Sequence, residues 1–406
     1  MKLCVLGLGY IGLPTAALFA NRGFEVVGVD TDPERVARVN KGAFDISEPG
    51  LEAFLRDALN TGNLRATLRG EKADVFIICV PTPIDEEKKA VLSYVESAGK
   101  MISSVLKKKD LVILESTVPP GTTENVLLPI LEESGLKAGE DFSLSHCPER
   151  VMPGKILKEL TENRRIIGGI DELSCRRARE LYSTFVEGDI HITNPTTAEF
   201  TKLAENTYRD VNIALANEFA KLCELHGTDV WTMRELANNH PRVDILKPGP
   251  GVGGHCLPVD PWFLVNGDKE LIPKAREINE KMVEHVARMI INSTPKGGIV
   301  TILGSSYKAN TEDERNSPTR YLVPLLEDLE VRVHDPYVRK QRGDVYQKVK
   351  DAHTVVLMVD HDAYKGAISF QKFLKKMAGK VLIDTRDFFD AEEWKDAGGE
   401  YVLLGA

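Results

Sequence analysis

Short apolar runs alternate with amphipathic stretches along the first half of the chain. The runs with the length and composition of buried strands are 2–6, 25–30, 74–80, 110–114, 142–145 and 165–168. Between them, the apolar residues of 94–106 and 123–133 recur at helical spacing. This alternation of strands and helices predicts a parallel, doubly wound sheet, whose ligands bind beyond the carboxyl ends of the strands.

The first strand leads directly into a glycine motif. Gly7-Leu8-Gly9-Tyr10-Ile11-Gly12 is followed by a helical pattern, and the second strand ends at Asp30. An acid at that place can bind the ribose hydroxyls of an adenosine. A flexible turn would also explain an isolated GxGxxG, but strand, helix and acid are in register here, so the sequence predicts an NAD site. Asp30 favours NAD over NADP, although the nearby Arg35 leaves that choice open.

The second half of the chain repeats the alternation after a long helix. Apolar residues recur at helical spacing from Thr196 to His226 and again from about 269 to 293. Further strands are predicted at 298–303, 331–334, 354–359, 380–384 and 401–404. The predicted fold is therefore α/β, with two doubly wound Rossmann-like domains joined by a long central helix. The expected domains are 1–194, 195–295 and 296–406.

Polar turns follow three strands of the first predicted sheet. They are Pro81-Thr82-Pro83, Glu115-Ser116-Thr117 and Cys147-Pro148-Glu149-Arg150. Ordinary turn chemistry explains each of them alone. Because all three lie at the same end of one sheet, we interpret them together as contacts to a cofactor and a substrate.

One cysteine follows a glycine-rich loop in the stretch GPGVGGHCLPVDPWF, residues 249–263. Glycines allow the backbone to bring its N–H groups close to a ligand, and Cys256 leaves this loop. Asp260 would lie on the same side of a helical turn, where its carboxylate can hold a water or accept a proton beside the sulfur. Most free cysteines are buried small hydrophobes, which is the alternative explanation. We interpret Cys256 as the candidate nucleophile.

The long helix presents a polar stripe. Lys202, Asn206, Arg209 and Ile213 share one side of it and offer an amine, an amide and a guanidinium. A solvated face is the alternative, but an asparagine gains nothing in the middle of an exposed helix, so we favour a functional stripe.

The second α/β half begins with a different turn. Gly304-Ser305-Ser306-Tyr307-Lys308 lacks the GxGxxG pattern, so we do not expect it to bind a dinucleotide in the same way. Lys308 and Arg315 are instead candidates for phosphate oxygens.

Composition narrows the class of partner. The 406 residues carry a formal net charge of −9, which argues against a nucleic-acid or anionic-membrane surface. The 6 cysteines form no CxxC pair and no Cys/His cluster, so neither a disulfide framework nor a metal site is indicated and a reducing, cytoplasmic compartment is expected.

The first twenty residues resemble a signal peptide, but cleavage would remove the glycine motif. No second apolar run reaches the length of a membrane helix.

An NAD site combined with a nucleophilic cysteine implies more than one hydride transfer. A thiolate is useless to simple alcohol oxidation, but it traps an aldehyde as a thiohemiacetal, which can lose a second hydride. Hydrolysis of the resulting thioester completes the change from primary alcohol to carboxylate, with two NAD consumed. A second α/β half with basic residues suggests that the substrate carries a phosphate-bearing handle, such as a sugar nucleotide.

The motifs GLGYIGLPTA, VPTP, ESTVPPGTTE, CPERVMPG, AENTYRDVNIALANE, NHPRVDILKPGPGVGGHCLPVDPWF and the KxxxxDxR element of residues 308–315 stand in this order along the chain. In this the chain resembles the UDP-glucose/GDP-mannose 6-dehydrogenase family over essentially its whole length. The resemblance implies that Cys256 is the nucleophile, and that Lys202 with Asp260 and a water handles the C6 hydroxyl proton and stabilises developing oxyanions. It further implies that Asn206 adds a hydrogen bond there.

The resemblance also implies roles for residues outside the Cys256 loop. Glu149 would orient or activate the hydrolytic water, and Thr117 would lie between nicotinamide and sugar. The implied cofactor contacts, with the glycine turn, are Gly7, Gly9, Tyr10, Ile11, Gly12, Asp30, Arg35, Thr82, Thr117 and Arg315. The implied substrate contacts are Glu149, Arg150, Val151, Lys202, Asn206, Arg209, His240, Arg242, Gly253, Tyr307 and Lys308. Family members are dimers built on the long helix, with an arginine near the position of Arg242 reaching the partner's sugar, so a homodimer or homotetramer is expected.

Two departures from the family pattern bear on the substrate. The UDP-glucose branch typically has a second glutamate where this chain has Pro153, and CLPKD where this chain has Val259. Both differences argue against UDP-glucose as the substrate and are consistent with an N-acetylated sugar. The expected reaction is the four-electron oxidation of UDP-N-acetyl-D-mannosamine at C6. UDP-GlcNAc or UDP-glucose oxidation, and a non-catalytic NAD-binding scaffold on this fold, are the alternatives.

Overall fold

The computed structural model describes residues 1–43, 48–152, 154–265 and 270–406. The chain divides into two compact units, the first of residues 1–205 with 262–264 and the second of residues 206–261 with 265–406. Each unit contains its own twisted sheet covered by helices, which confirms the predicted α/β class. The three-domain division of the sequence stays a prediction.

Eight strands form the sheet of the first unit. They are β1 Lys2–Leu6, β2 Glu25–Val29, β3 Leu64–Thr67, β4 Val75–Ile78, β5 Leu111–Leu114, β6 Ser143–His146, β7 Arg165–Gly169 and β8 Ile190–Thr193. Their order is β3-β2-β1-β4-β5-β6-β7-β8. The six predicted strands are confirmed. The prediction missed β3 and β8, which lie at the two sheet edges and are only partly buried, so neither forms a continuous apolar run.

The sheet departs from the all-parallel prediction at one pair. β7 runs antiparallel to β6, with Ser145 opposite Gly169, whereas β8 is parallel to β7. The remaining pairs are parallel. Because of this reversal, the start of β7 lies beside the carboxyl end of β6. Arg165 is the first residue of β7 and is therefore placed at the ligand-binding edge of the sheet.

Helices cover both faces of this sheet. They are α1 Gly12–Asn21, α2 Pro33–Asn40, α3 Leu51–Asn60, α4 Ser93–Ser103, α5 Leu128–Glu132, α6 Ile156–Glu162 and α7 Glu172–Tyr182. The predicted helix at 123–133 begins as a π-helical turn, Thr123–Leu127, before α5. Within β1, Leu3 and Val5 belong to one apolar core, whereas Cys4 and Leu6 belong to the other. A strand buried on both faces has no polar side, which explains the continuous apolar run.

The second unit has a parallel sheet of five strands. They are β9 Ile299–Leu303, β10 Glu330–His334, β11 Thr354–Leu357, β12 Val381–Asp384 and β13 Glu400–Leu403, in the order β10-β9-β11-β12-β13. All five were predicted, with boundaries displaced by at most a few residues. The remaining helices are α8 Pro195–His226, α9 Val230–Asn238, α10 Leu271–Ser293, α11 Pro318–Leu322, α12 Val345–Lys348, α13 Phe370–Lys376 and α14 Ala391–Asp396.

The long predicted helix is confirmed as α8, whose residues before 206 belong to the first unit and the rest to the second. The predicted start of α10 near residue 269 lies outside the described residues, and the described helix begins at Leu271. Among the described residues, no helix combines the length and the apolar character needed to cross a membrane.

Candidate active site

The glycine motif forms the tight turn that its spacing predicts. Gly7 has φ +92°, and a Cβ there would lie 2.5 Å from the carbonyl oxygen of Cys79. A Cβ at Gly12 would lie 1.8 Å from the oxygen of Gly7, whereas one at Gly9 would meet nothing within 4 Å. Gly7 and Gly12 are therefore needed by the fold, and Gly9 leaves open space. No described side chain caps α1 at Ile11, so the helix N-terminus suits a pyrophosphate.

Asp30 is fixed at the end of β2 by this turn. Its carboxylate accepts the Leu8 N–H over 2.9 Å and the Asp32 N–H over 3.0 Å. Arg35 pairs with the same carboxylate over 3.3 Å. These contacts hold an acid where an NAD ribose needs one, and they place Arg35 against Asp30. Nearby, the Tyr10 hydroxyl donates to Glu48, which also accepts the Gly154 N–H over 2.5 Å.

The predicted polar turns come together in the first unit. The Thr82 hydroxyl donates to the Thr117 carbonyl over 2.6 Å and thereby joins the turns after β4 and β5. The third turn is connected through Arg165, whose guanidinium lies 3.3 Å from Glu149 and 3.7 Å from Glu115. The grouping predicted from the sequence is therefore present, but one of the residues that forms it was missed.

Arg165 is the centre of a buried polar network. Glu115 also accepts hydrogen bonds from the Tyr182 hydroxyl over 2.5 Å and from the Cys79 thiol over 3.1 Å. The guanidinium lies 4.7 Å from the centre of the Tyr182 ring. Burial raises the pKa of Glu115, and the positive charge of Arg165 acts in the opposite direction. The available sequence signal was a charged residue opening a strand that is otherwise apolar.

The other expected substrate residues of the first unit are Arg150, Val151 and Lys202. Arg150 pairs with Glu205 over 2.6 Å and also donates to the carbonyl of Arg164. Val151 packs against the core of the first unit. Lys202 is half-buried on α8.

In the second unit, Cys256 and Asp260 are joined by a helical turn. The Asp260 N–H donates to the Cys256 carbonyl over 2.8 Å, so the turn predicted from the sequence is present. The Asp260 carboxylate accepts the Asn206 side-chain amide over 2.6 Å. Arg209 in turn lies 3.3 Å from the Asn206 oxygen. The structure thus brings together two members of the predicted helix stripe and Asp260, the acid one turn from the predicted nucleophile.

A chain of buried amides holds the start of the glycine loop. The Gly249 N–H donates to Asn217 over 2.9 Å, and Asn217 donates to Asn279 over 2.9 Å. The Asn279 side-chain amide donates to the Asp210 carboxylate over 2.9 Å, and Arg276 pairs with the same carboxylate over 2.6 Å. None of these residues was predicted from the sequence. Asn217 carries the same signal as Asn206, because it is a poor helix former in the middle of the same helix.

Tyr307 packs against the loop that carries Cys256. A Cβ at Gly253 would lie 2.9 Å from the Cβ of Tyr307, and the rings of His255 and Tyr307 are perpendicular with centres 6.4 Å apart. Lys308, the next residue, is exposed. The predicted contact of Gly253 with a ligand therefore lies beside the predicted contact of Tyr307.

Arg315 is held by Asp313, another residue that the sequence analysis did not single out. Their side chains approach to 2.6 Å. The hydrogen bonds to Asp313 raise the pKa of Arg315, with smaller electrostatic contributions from Tyr307 and Cys256. The ion pair with Asp313 therefore fixes the position of the Arg315 guanidinium.

The remaining predicted residues lie on the surface of the second unit. His240 and Arg242 follow α9 and are exposed. The predicted departure at Pro153 lies outside the described residues. Within the described ranges, no cluster of His, Cys, Asp and Glu is suited to holding a metal ion. The predicted cofactor contacts other than Arg315 belong to the first unit, as does Glu149, whereas Cys256, Asn206, Asp260 and Arg315 belong to the second.

Comparison with known proteins places the chain in one family over most of its length. Profiles of the UDP-glucose/GDP-mannose dehydrogenase family match the chain in three parts: the NAD binding domain at residues 1–186, the central domain at 196–285 and the UDP binding domain at 301–391. A UDP-N-acetyl-D-mannosamine dehydrogenase from Methanococcus vannielii is 45% identical, over 100% of this chain and 97% of that protein.

Solved structures agree with the sequence comparison. The UDP-D-ManNAc dehydrogenase of Pyrococcus horikoshii has a TM-score of 0.94 and 44% identity, covering 100% of this chain and 99% of that one. A UDP-glucose dehydrogenase from Pyrobaculum islandicum has a TM-score of 0.86 and 30% identity, covering 100% and 97%. The likeness therefore extends over both units and is greater for the N-acetylated sugar enzyme.

Proposed function

Since the chain belongs to the UDP-glucose/GDP-mannose dehydrogenase family, with NAD as cofactor, we propose that it oxidises UDP-N-acetyl-D-mannosamine at C6 to the uronate. The observation that carries the proposal is the Cys256 turn, in which Asp260 and Asn206 are hydrogen-bonded one helical turn from the sulfur. This arrangement supplies a nucleophile and a proton-handling group, which a binding scaffold does not need.

The residues of the first unit fit NAD. Gly9 offers open space at the tight turn, the N-terminus of α1 lacks a side-chain cap, and Asp30 is held for the ribose. Thr82 and Thr117 are fixed to one another beside the next strand ends. When bound, NAD accepts one hydride from C6 in each of two oxidation steps.

In the proposed first oxidation, the C6 hydroxyl loses a proton as its carbon loses hydride. Lys202, with Asp260 and a water, is assigned to receive that proton and to stabilise the oxygen's developing charge. The Asn206 amide keeps the Asp260 carboxylate oriented over their 2.6 Å hydrogen bond. The product of this step is the C6 aldehyde, and the two electrons leave with the hydride.

Cys256 then converts the aldehyde into an acyl group. Its sulfur forms a bond to C6, and the carbonyl oxygen takes a proton to give a thiohemiacetal. Loss of that proton and of a second hydride gives the thioester. Water adds to the thioester carbon, and cleavage of the C–S bond releases the carboxylate and restores the thiol. Glu149, held by Arg165 at 3.3 Å, is assigned to orient or activate this water.

Substrate contacts are assigned by their chemistry. Lys308 and the arginines suit the diphosphate. The proposed substrate contacts are Glu149, Arg150, Val151, Lys202, Asn206, Arg209, His240, Arg242, Gly253, Tyr307 and Lys308, and the proposed cofactor contacts include Tyr10, Ile11, Arg35 and Arg315. The substrate class is supported by the names of the relatives and by Val259 in place of the lysine of the UDP-glucose branch. UDP-GlcNAc and UDP-glucose are the competing substrates.

The proposed assembly is a homodimer formed through α8, or a homotetramer built from it. Within the second unit, Tyr208, Leu215 and Leu222 recur at heptad spacing on this helix and are exposed. A second copy would remove such an apolar stripe from water. We expect Leu222→Glu to yield monomers by light scattering, whereas Leu236→Glu, on the exposed face of α9, leaves the mass unchanged. The proposed compartment is the cytoplasm, which fits cysteines that form no disulfide in the described part of the chain.

The decisive experiment measures NADH released per sugar with each of the three UDP-sugars. Two NADH per UDP-N-acetyl-D-mannosamine, and the highest kcat/KM for it, are expected. Release of one NADH with free aldehyde would contradict the thioester route. Cys256→Ser should accumulate aldehyde after one NADH, while Cys223→Ser, which removes a buried thiol of the same unit, serves as the matched control.

A further inference from the structure

The second unit reuses the nucleotide-binding turn of the first. Gly7 follows β1 and Gly304 follows β9, each an interior strand of its sheet, with φ +92° and +100°. Each donates its N–H over 2.8 Å to the last residue of the adjacent strand, Val29 or His334. An aspartate then accepts the N–H that follows the glycine: Leu8 to Asp30 over 2.9 Å, and Ser305 to Asp335 over 2.7 Å. Asp335 is therefore the structural counterpart of Asp30.

The two aspartates differ in what else they bind. Asp30 is 9% exposed and accepts one further backbone N–H, with Arg35 beside it. Asp335 is 0% exposed. Its carboxylate accepts hydrogen bonds from the N–H groups of Ser305 at 2.7 Å, Ser306 at 3.0 Å, Tyr337 at 2.8 Å and Val338 at 3.0 Å, and from His361 at 3.0 Å. With five donors around it, this carboxylate is fully engaged by the protein itself.

His361 contacts Asp335 and two residues of the segment that follows Gly304. The Asn310 N–H donates to Nδ1 over 2.9 Å, so in the neutral ring the proton is on Nε2. Nε2 lies 3.0 Å from Asp335 and 3.2 Å from the Ser306 hydroxyl. The imidazole therefore links both ends of the segment from Ser305 to Asn310, and it is completely buried.

The segment fixed in this way carries substrate-type residues. The Tyr307 N–H donates to the Asp313 carbonyl over 2.9 Å, and the Tyr307 ring lies against Gly254. The Ser306 hydroxyl donates to the Lys308 carbonyl over 2.8 Å. Displacement of this segment would therefore move Tyr307 and Lys308, and with Tyr307 the loop that leads to Cys256.

We propose that Asp335 and His361 are positioning residues for the UDP-sugar. Asp335 occupies the position that Asp30 has in the first unit, but it binds the segment from Ser305 to Asn310 and so fixes the place of Tyr307 and Lys308. The inference rests on the proposed function in one respect, the assignment of Tyr307 and Lys308 to the substrate. It also explains why Asp335, although it follows an NAD-type turn, has no carboxylate oxygen left for a dinucleotide. One NAD per chain is expected.

The test compares His361→Gln with His353→Gln. His353 accepts the Ile299 N–H at the opposite end of the same sheet, over 3.1 Å, so its loss is a matched perturbation away from the loop. Loss of a hydrogen bond to a charged group weakens binding roughly 10- to 100-fold. We expect a rise of that order in the KM for the UDP-sugar and in the Kd for UDP by calorimetry in His361→Gln. The KM for NAD should be unchanged in both variants.

Two further variants test the partners of His361 in the same way. Asp335→Asn should shift the same constants as His361→Gln, and Ser306→Ala, which removes no buried charge, should give a smaller shift in the same direction. Thermal unfolding identifies variants that are folded. Equal rises in the KM for UDP-sugar and NAD, an unchanged Kd for UDP, or a second NAD bound per chain would overturn the proposal. Because the Kd for UDP needs no turnover, it is informative even if the proposed sugar is not the substrate.

Discussion

The side-chain amide of Asn206 donates to the Asp260 carboxylate over 2.6 Å, and both side chains are buried. Asn206 lies within α8, and Asp260 ends the turn that begins at Cys256. A neutral donor is the appropriate partner here, because it satisfies a buried carboxylate without neutralising its charge. The pair therefore connects the polar stripe of α8 to the turn that contains the proposed nucleophile, Cys256.

Asn206→Asp should make the stability of the protein depend on pH. Two carboxylates at this separation cannot both ionise, so the pair keeps one proton and its upper pKa is raised above that of the unfolded chain. Stability is then retained at low pH and lost as pH rises through that pKa. The repulsion between two unit charges about 4 Å apart is about 4 kcal/mol at an effective dielectric constant of 20. Melting temperatures measured from pH 5 to 8 should fall only in this variant. Asn212→Asp, at a partly exposed position of α8 where the side-chain amide donates to the Tyr208 carbonyl, should show no such fall.

Alkylation should distinguish Cys256 from the other five cysteines. Burial raises the pKa of Cys4 to about 11 and of Cys147 to about 12, and it also raises the pKa of Cys79, Cys175 and Cys223. Their thiolate fractions at pH 7.5 are therefore very small. Iodoacetamide should modify Cys256 first, in step with loss of activity, as followed by peptide mass spectrometry. Early modification of a buried cysteine would contradict this.

Two glycines of the first turn should respond differently to alanine. A Cβ at Gly9 meets nothing within 4 Å, whereas one at Gly12 would lie 1.8 Å from a carbonyl oxygen. Gly9→Ala should keep the melting temperature and weaken NAD binding at least tenfold, because the methyl group occupies the space for the pyrophosphate. Gly12→Ala should lose stability as well. Calorimetric NAD binding and thermal unfolding measure both effects, and unchanged NAD affinity in Gly9→Ala would count against the site.

Arg165→Met should destabilise the first unit strongly. It leaves the buried carboxylates of Glu115 and Glu149 without their cation, a change that typically costs about 3–5 kcal/mol. Because burial already raises the pKa of Glu115, the variant should lose more stability as pH rises. Urea unfolding at pH 6 and pH 8 tests this expectation. Arg164→Met, which removes only an exposed pair with Asp189, is the control, and adding Glu115→Gln should restore part of the loss.

Much of this protein follows from local sequence. Apolar runs and helical periods placed every strand of the second sheet and the inner strands of the first, because a buried element shows its period in its own residues. The glycine turn with Asp30, and the helical turn from Cys256 to Asp260, are also short-range patterns. Each depends on residues close together in the chain, so the sequence alone was sufficient to predict them.

Tertiary structure decided which distant residues became partners. Arg165 meets Glu149 because β7 runs antiparallel to β6, a reversal that the apolar run of β7 does not record. Asp335 follows β10 and His361 follows β11. The two residues form a hydrogen bond because both strands flank β9 in the sheet. The partner of a buried charge is determined by strand order and direction, and these result from packing of the whole sheet. A local pattern contains the period of an element but not the identity of its neighbours.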